Sequence, residues 1–303
     1  MGVTPISPRS AVRDAADVVL LTLAGILVLL LMVWLALRTQ GGSRLDLEVM
    51  RSFRVDRFAP GRIDALLSEI QVSTMFLLTL VAMGIAALQR HWRMALALPL
   101  LVVGANQTTQ LLKLDFLTSV PSDPSIRVTL PSGHATAAIS LAAVAIIASP
   151  RVIRPLTCLV TGAIAGAAGL GTMAERWHRP ADVVAAVGVV LIWAALALVV
   201  GGHWIEQPLV RAAGFDRGVG HSALATLGVG GGVYVLHRLG MAPMDGSKAT
   251  TLMWGSIIVV GVTIGVGLGL IAVVADRRIF RLPPRVVAPA AEPEPVVQVE
   301  RQV

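Results

Sequence analysis

A chain of 303 residues that is 55% hydrophobic and 14% charged, with a formal net charge of +7 and a mean hydropathy of +0.77, is too apolar for a water-soluble domain. These values define an all-α, polytopic membrane helical bundle. They exclude a nucleic-acid partner, because the cations lie in short loops and not in a soluble basic domain. A lone cysteine, Cys158, excludes a disulfide framework and a thiolate metal site.

Crossing the hydrocarbon core takes roughly 20 apolar residues, and the chain offers eight candidate runs. The first, 15–37, follows Arg9 and Arg13; it is too long for a signal-peptide core and is expected to be a retained span. Between Ser43 and Gln71 apolar residues recur at helical spacing (Leu45, Val49, Phe53, then Ile63, Leu66, Leu67 and Ile70), with a break at Pro60-Gly61. This pattern predicts two short amphipathic helices on the membrane face. The other runs are 73–88, 94–112, 134–148, 153–170, 183–200, 223–239 and 252–275. Glycines in the last two (Gly228, Gly230, Gly231, Gly232, Gly261, Gly265 and Gly269) suit close helix packing. Residues 277–303 are expected to form a cytoplasmic tail, basic at first and then rich in Pro, Val and Glu, which such a composition leaves disordered.

Orientation follows from the arginines, since cationic loops stay in the cytoplasm. With the N-terminus inside, the inner segments hold Arg9 and Arg13, Arg90 and Arg93, Arg151 and Arg154, Arg211 and Arg217, and a final group beginning with Arg277 and Arg278. The short outer loops are poorer in cations, and the long outer segment, 39–71, nearly matches its arginines with Asp and Glu, a length over which the rule holds less strictly. Both termini are therefore expected inside, in a plasma membrane; many arginines beside only Lys113 and Lys248 point to a GC-rich bacterial genome.

Two polar islands interrupt this apolar chain, and both fall in outer loops. Pro131-Ser132-Gly133-His134 opens the fourth run. There Ser132 suits a helix cap, Gly133 permits close backbone approach, and the free N–H groups of a helix start attract anions. His134 is placed to give a proton to a departing oxygen; a serine-capped turn with an interfacial histidine accounts for the same four residues. In the second island His178 and Asp182 stand four apart with Pro180 as first helical residue, so the carboxylate can reach back to the imidazole. That pairing fixes one ring nitrogen and frees the other as a nucleophile, or else merely stabilises a loop. Upstream, Asn106, Gln110 and Lys113 share one helical face. Such a stripe serves a site or hydrogen-bonds between helices with Lys113 reaching the interface.

A lysine ending one span, Pro-Ser-Gly-His opening the next, and His-x-x-x-Asp before a third: in this order the motifs resemble the type 2 phosphatidic acid phosphatase and vanadium haloperoxidase superfamily, in its membrane lipid phosphatase branch. The resemblance implies a phosphatase-like domain over 1–210, with core motifs at 106–182, six core helices and a pocket at the extracytoplasmic face; residues 211–276 add two transmembrane helices. It implies that His178 attacks phosphorus, Asp182 orients it and His134 protonates the leaving group. Lys113, Ser132 and the Gly133 N–H would hold the phosphate, with no metal or cofactor needed. Two arginines of the family pattern are missing, replaced by Val120 and Thr172. Arg127, Arg176 and Arg179 lie near enough in sequence to stand in, Arg176 foremost. The implied partners are membrane lipids and a lipid phosphate such as a polyprenyl diphosphate or phosphatidic acid. The implied activity is its hydrolysis, with a phosphotransferase, or a weak or inactive lipid-binding protein, as alternatives. A transporter or assembly partner built on the added spans is a third account, and vanadate-dependent oxidation is disfavoured by the missing cations.

Overall fold

Apolar runs long enough to bury their backbone polar groups only by hydrogen-bonding to themselves become helices, and most of the described residues do. The computed structural model describes residues 8–55, 61–118, 128–202 and 214–279. Helix α1 (Pro8–Val33) ends in a π-helical turn, Trp34–Arg38, before α2 (Gln40–Arg51), strand β1 (Phe53–Val55) and α3 (Arg62–Ser68). Then come α4 (Val72–Leu88) and α5 (Trp92–Leu111), the latter closing in a second π-helical turn, Leu112–Phe116. Helices α6 (Gly133–Ala148), α7 (Arg154–Ala174), α8 (Pro180–Gly201) and α9 (Gly214–Arg238), strand β2 (Met241–Pro243) and α10 (Ser247–Ile279) complete the described fold.

All eight expected runs are helical. Six are long and apolar enough to cross a membrane, and α3 with α4 would make a seventh, bent by 53°. The remaining helix, α6, has only 16 residues. It is buried along most of its length and packs against α4, α5, α7, α8 and α10, so protein, not lipid, surrounds it and its length is not set by the bilayer. Helix α10 reaches Ile279, three residues into the expected tail; residues 280–303 lie outside the described ones.

Helix α8 sits at the centre, against α1, α5, α6 and α10. Its crossing with α1 is close because Gly25 faces Gly188: a Cβ on either would stand 2.7 Å from the other's carbonyl oxygen. The glycines of the last two helices also pack. Gly228 and Gly232 lie against the α7 backbone at Leu159 and Ala163, while Gly265 and Gly269 of α10 abut Thr226 and Ser222 of α9.

The loops gather at two ends of the bundle. At one end Arg154, fully buried, donates to the carbonyls of Ile146 at 3.0 Å and Ser149 at 2.7 Å. It also pairs with Asp276 of α10, which has Arg151 at 3.5 Å and His221 of α9 at 4.0 Å. At the other end lies the segment after α1. Two short helices do flank the break there, and Gly61 takes a left-handed φ of 74° to start α3. The buried face of α2 departs from expectation: Ser43, Asp46 and Val49 point inward while Leu45 is 53% exposed. In a membrane protein the surroundings are apolar too, so an apolar side chain need not face the core. A two-stranded sheet was also not anticipated; β1 and β2 pair antiparallel, Phe53 with Pro243 and Val55 with Met241.

Candidate functional site

The second island is built by the start of α8. Pro180 at the first helical position lacks the N–H that would be orphaned there, and Arg179 precedes it in extended conformation. The turn brings Asp182 back over the loop, placing its Oδ2 3.0 Å from His178 Nδ1. That oxygen also accepts the Thr129 hydroxyl at 2.6 Å and the Arg179 N–H at 3.0 Å. Both His178 and Asp182 are buried. The backbone N–H groups of Trp177 and His178 donate to the Thr172 carbonyl at 2.9 and 3.2 Å, which fixes the loop against the end of α7.

The first island is tied to the second by a backbone bond, Ser132 N–H to the Asp182 carbonyl at 3.0 Å. Ser132 is the cap of α6, accepting the Ala135 N–H at 3.3 Å. Its own carbonyl accepts the Thr136 hydroxyl at 2.8 Å, and Thr136 meets Thr109 of α5 at 2.9 Å. One turn on, Asn106 donates to Ser140 at 3.3 Å. The polar stripe of α5 therefore does hydrogen-bond between helices, and the same contacts carry its end to the site. Gln110 lies beside Gly133, 3.6 Å from where a Cβ would stand. Lys113 sits in the π-helical turn, and its charge, with those of His178 and Asp64, acts on His134. His134 rests against the Trp177 ring, centroids 5.5 Å apart and tilted by 48°.

His134, His178, Asp182, Ser132, Gly133 and Lys113 are thus drawn from three separate stretches to one end of the bundle. Arg176 is engaged elsewhere. From a left-handed φ of 58° its Nε and Nη2 donate to the Phe53 carbonyl at 3.0 and 2.6 Å, with Met244 Sδ at 3.4 Å. Thr172 is fully buried and turns its hydroxyl back to the Gly169 carbonyl at 2.7 Å. Arg127 and Val120 lie outside the described residues. Among the described residues no three His, Cys, Asp or Glu side chains group as metal ligands. Sequence reasoning missed Thr129, whose contact with Asp182 spans 53 residues and leaves no periodic trace.

A histidine held by a carboxylate, with a second histidine, an amine and a capped helix start at the same end of the bundle, is the set of groups that phosphoryl transfer would call on. The comparison with known families agrees. Residues 102–206, the stretch that carries both islands, match the family model of the PAP2 superfamily. Its members are phosphatases acting on phosphate esters. No curated protein and no solved structure matches the chain.

Proposed function

We propose that the protein is a lipid phosphate phosphatase working at the extracytoplasmic membrane face through a phosphohistidine. The observation that carries this reading is the His178–Asp182 contact: with Nδ1 held, Nε2 has its lone pair available to attack. In the first step Nε2 bonds to phosphorus, the P–O bond to the lipid breaks, and His134 gives its proton to the leaving oxygen. Water then attacks, the P–N bond breaks, His134 takes a proton back, and phosphate leaves. The free N–H groups at the start of α6 and the Lys113 amine hold the phosphoryl oxygens. The arginine pattern of the loops supports an outward-facing site and cytoplasmic termini.

The test is phosphate release by the purified protein from a panel including phosphatidic acid and a polyprenyl diphosphate. His178→Ala is expected to lower the rate by about three orders of magnitude or more, and acid-labile label from a lipid substrate with a radiolabelled terminal phosphate should appear on wild type only. Release unaffected by the substitution would remove the mechanism.

A second reading, weak turnover or lipid-phosphate binding alone, is favoured by specific contacts. Arg176 is spent on Phe53, Thr172 brings no cation, and Asp64 adds a negative charge near His134. Tight binding of a lipid phosphate with no His178-dependent release would select it. Release onto an added lipid or sugar hydroxyl instead of water would select the phosphotransferase.

A further inference from the structure

Everything in the site hangs on the first turn of α8, so the donors of that turn are worth following. Pro180 has no N–H, and the Asp182 N–H goes to the Arg179 carbonyl at 3.1 Å. The Ala181 N–H is left without a partner in its own helix. Asp46 supplies one from α2, its Oδ1 accepting that N–H at 3.0 Å across 135 residues of sequence. Asp46 is only 8% exposed, and its other oxygen, Oδ2, is buried with no hydrogen-bond partner.

A carboxyl is an expensive choice for such a place. Asparagine would accept the same N–H without a buried charge, and an apolar residue would pack. The charged groups acting on it, Asp182 and Arg179, both belong to the start of α8, while Glu48 on its own helix is drawn to Lys248 of α10 at 2.9 Å. Burial, reinforced by Asp182, pushes its pKa up to about 7.

We propose that Asp46 is a positioning residue of this site: by holding the Ala181 N–H it sets the angle at which the next residue, Asp182, presents its carboxylate to His178. The held N–H lies in the Pro180–Ala181 peptide, one residue before the Asp182 Cα, so a tilt of that peptide passes through Ala181 and swings Oδ2. That oxygen serves His178, Thr129 and the Arg179 N–H together, and hydrogen bonds weaken steeply with misalignment. The outer segment, which lies before the family-matched residues, thereby becomes part of the machinery. The effect on turnover rests on the phosphohistidine reading; the effect on the imidazole does not.

The experiment uses the full chain in bilayer nanodiscs with ¹⁵N-labelled histidine, the His178 signals being assigned by their loss in His178→Ala. In neutral wild-type imidazole Nδ1 is expected to carry the proton, giving well-separated Nδ1 and Nε2 shifts. In Asp46→Ala the two shifts converge as the tautomers mix, and kcat on phosphatidic acid falls about tenfold with KM within about twofold, the scale of one lost positioning bond. Asp46→Asn, whose amide oxygen still accepts the Ala181 N–H, keeps wild-type shifts and rate. Should Asp46→Ala fail to fold, Asp46→Ser, with a side chain one bond too short, is read in the same way. Unchanged His178 shifts in the short variants, or equal loss in Asp46→Asn, overturns the proposal. Wild type without His178-dependent release would end the phosphatase reading, while the shifts still decide the role of Asp46.

Discussion

Asp182 concentrates more of the site in one side chain than any other residue. Its Oδ2 takes three donors and its carbonyl a fourth, so loss of any one loosens the rest. Thr129→Val, which keeps shape and removes the hydroxyl, is expected to lower kcat about tenfold, since a hydrogen bond to a charged group is worth about 1.5–3 kcal/mol and only part of it bears on the transition state; stopped phosphate-release kinetics on the valine variant check this. Asp46 makes a separate prediction about stability. Its carboxyl holds its proton more tightly folded than unfolded, with a pKa near 7 against an ordinary value of 3.8. Its contribution is therefore complete below about pH 4 and is lost as pH rises through about 7, by up to about 4 kcal/mol. Asp46→Asn has no proton to lose. Its Tm in detergent is expected to fall less than that of wild type between about pH 5 and about pH 8, and parallel falls would refute the assignment.

At the scale of elements, the last two helices are fastened to the rest by charge as well as by glycine. Arg154 at the start of α7 is fully buried and pairs with Asp276 of α10. Removing one member leaves the other charge uncompensated, so Asp276→Ala is expected to cost about 3–5 kcal/mol, whereas replacing both by apolar residues recovers most of it; thermal unfolding of the single and double variants measures the difference. How far such elements were legible differs with their physics. Long apolar runs identify spans because hydrophobic length alone decides them, and His178 and Asp182 were legible because four residues is one helical turn. The buried face of α2 was not. Val49 and Phe53 of the apolar pattern are buried, but Leu45 is exposed and Asp46 turns inward to the Ala181 N–H, a contact across 135 residues that no local pattern shows. Strands of three residues carry too little alternation to register. The brace from Arg176 to Phe53 joins residues 123 apart, a distance no local pattern spans.

For the whole molecule, the bundle has one end rich in candidate site residues and another held by the Arg154 cluster, and we propose from the charge pattern that the first faces outside. Single cysteines test this in intact cells in a Cys158→Ala background. A thiol reagent that cannot cross membranes is expected to label Lys248→Cys directly and Arg151→Cys only after permeabilisation; the reverse pattern would invert the topology and place the site in the cytoplasm.

The small β1–β2 ribbon bears on how far the chain can be shortened around the candidate site. Strand β1 comes from the segment that supplies Asp46, and its partner β2 lies between α9 and α10; Arg176, two residues before His178, is fastened to the same strand. Through β2, the last two helices thus anchor the strand to which the loop before His178 is fastened. A chain ending before α9 would lose that anchor and free the β1 strand on that side, even though His134, His178 and Asp182 all remained.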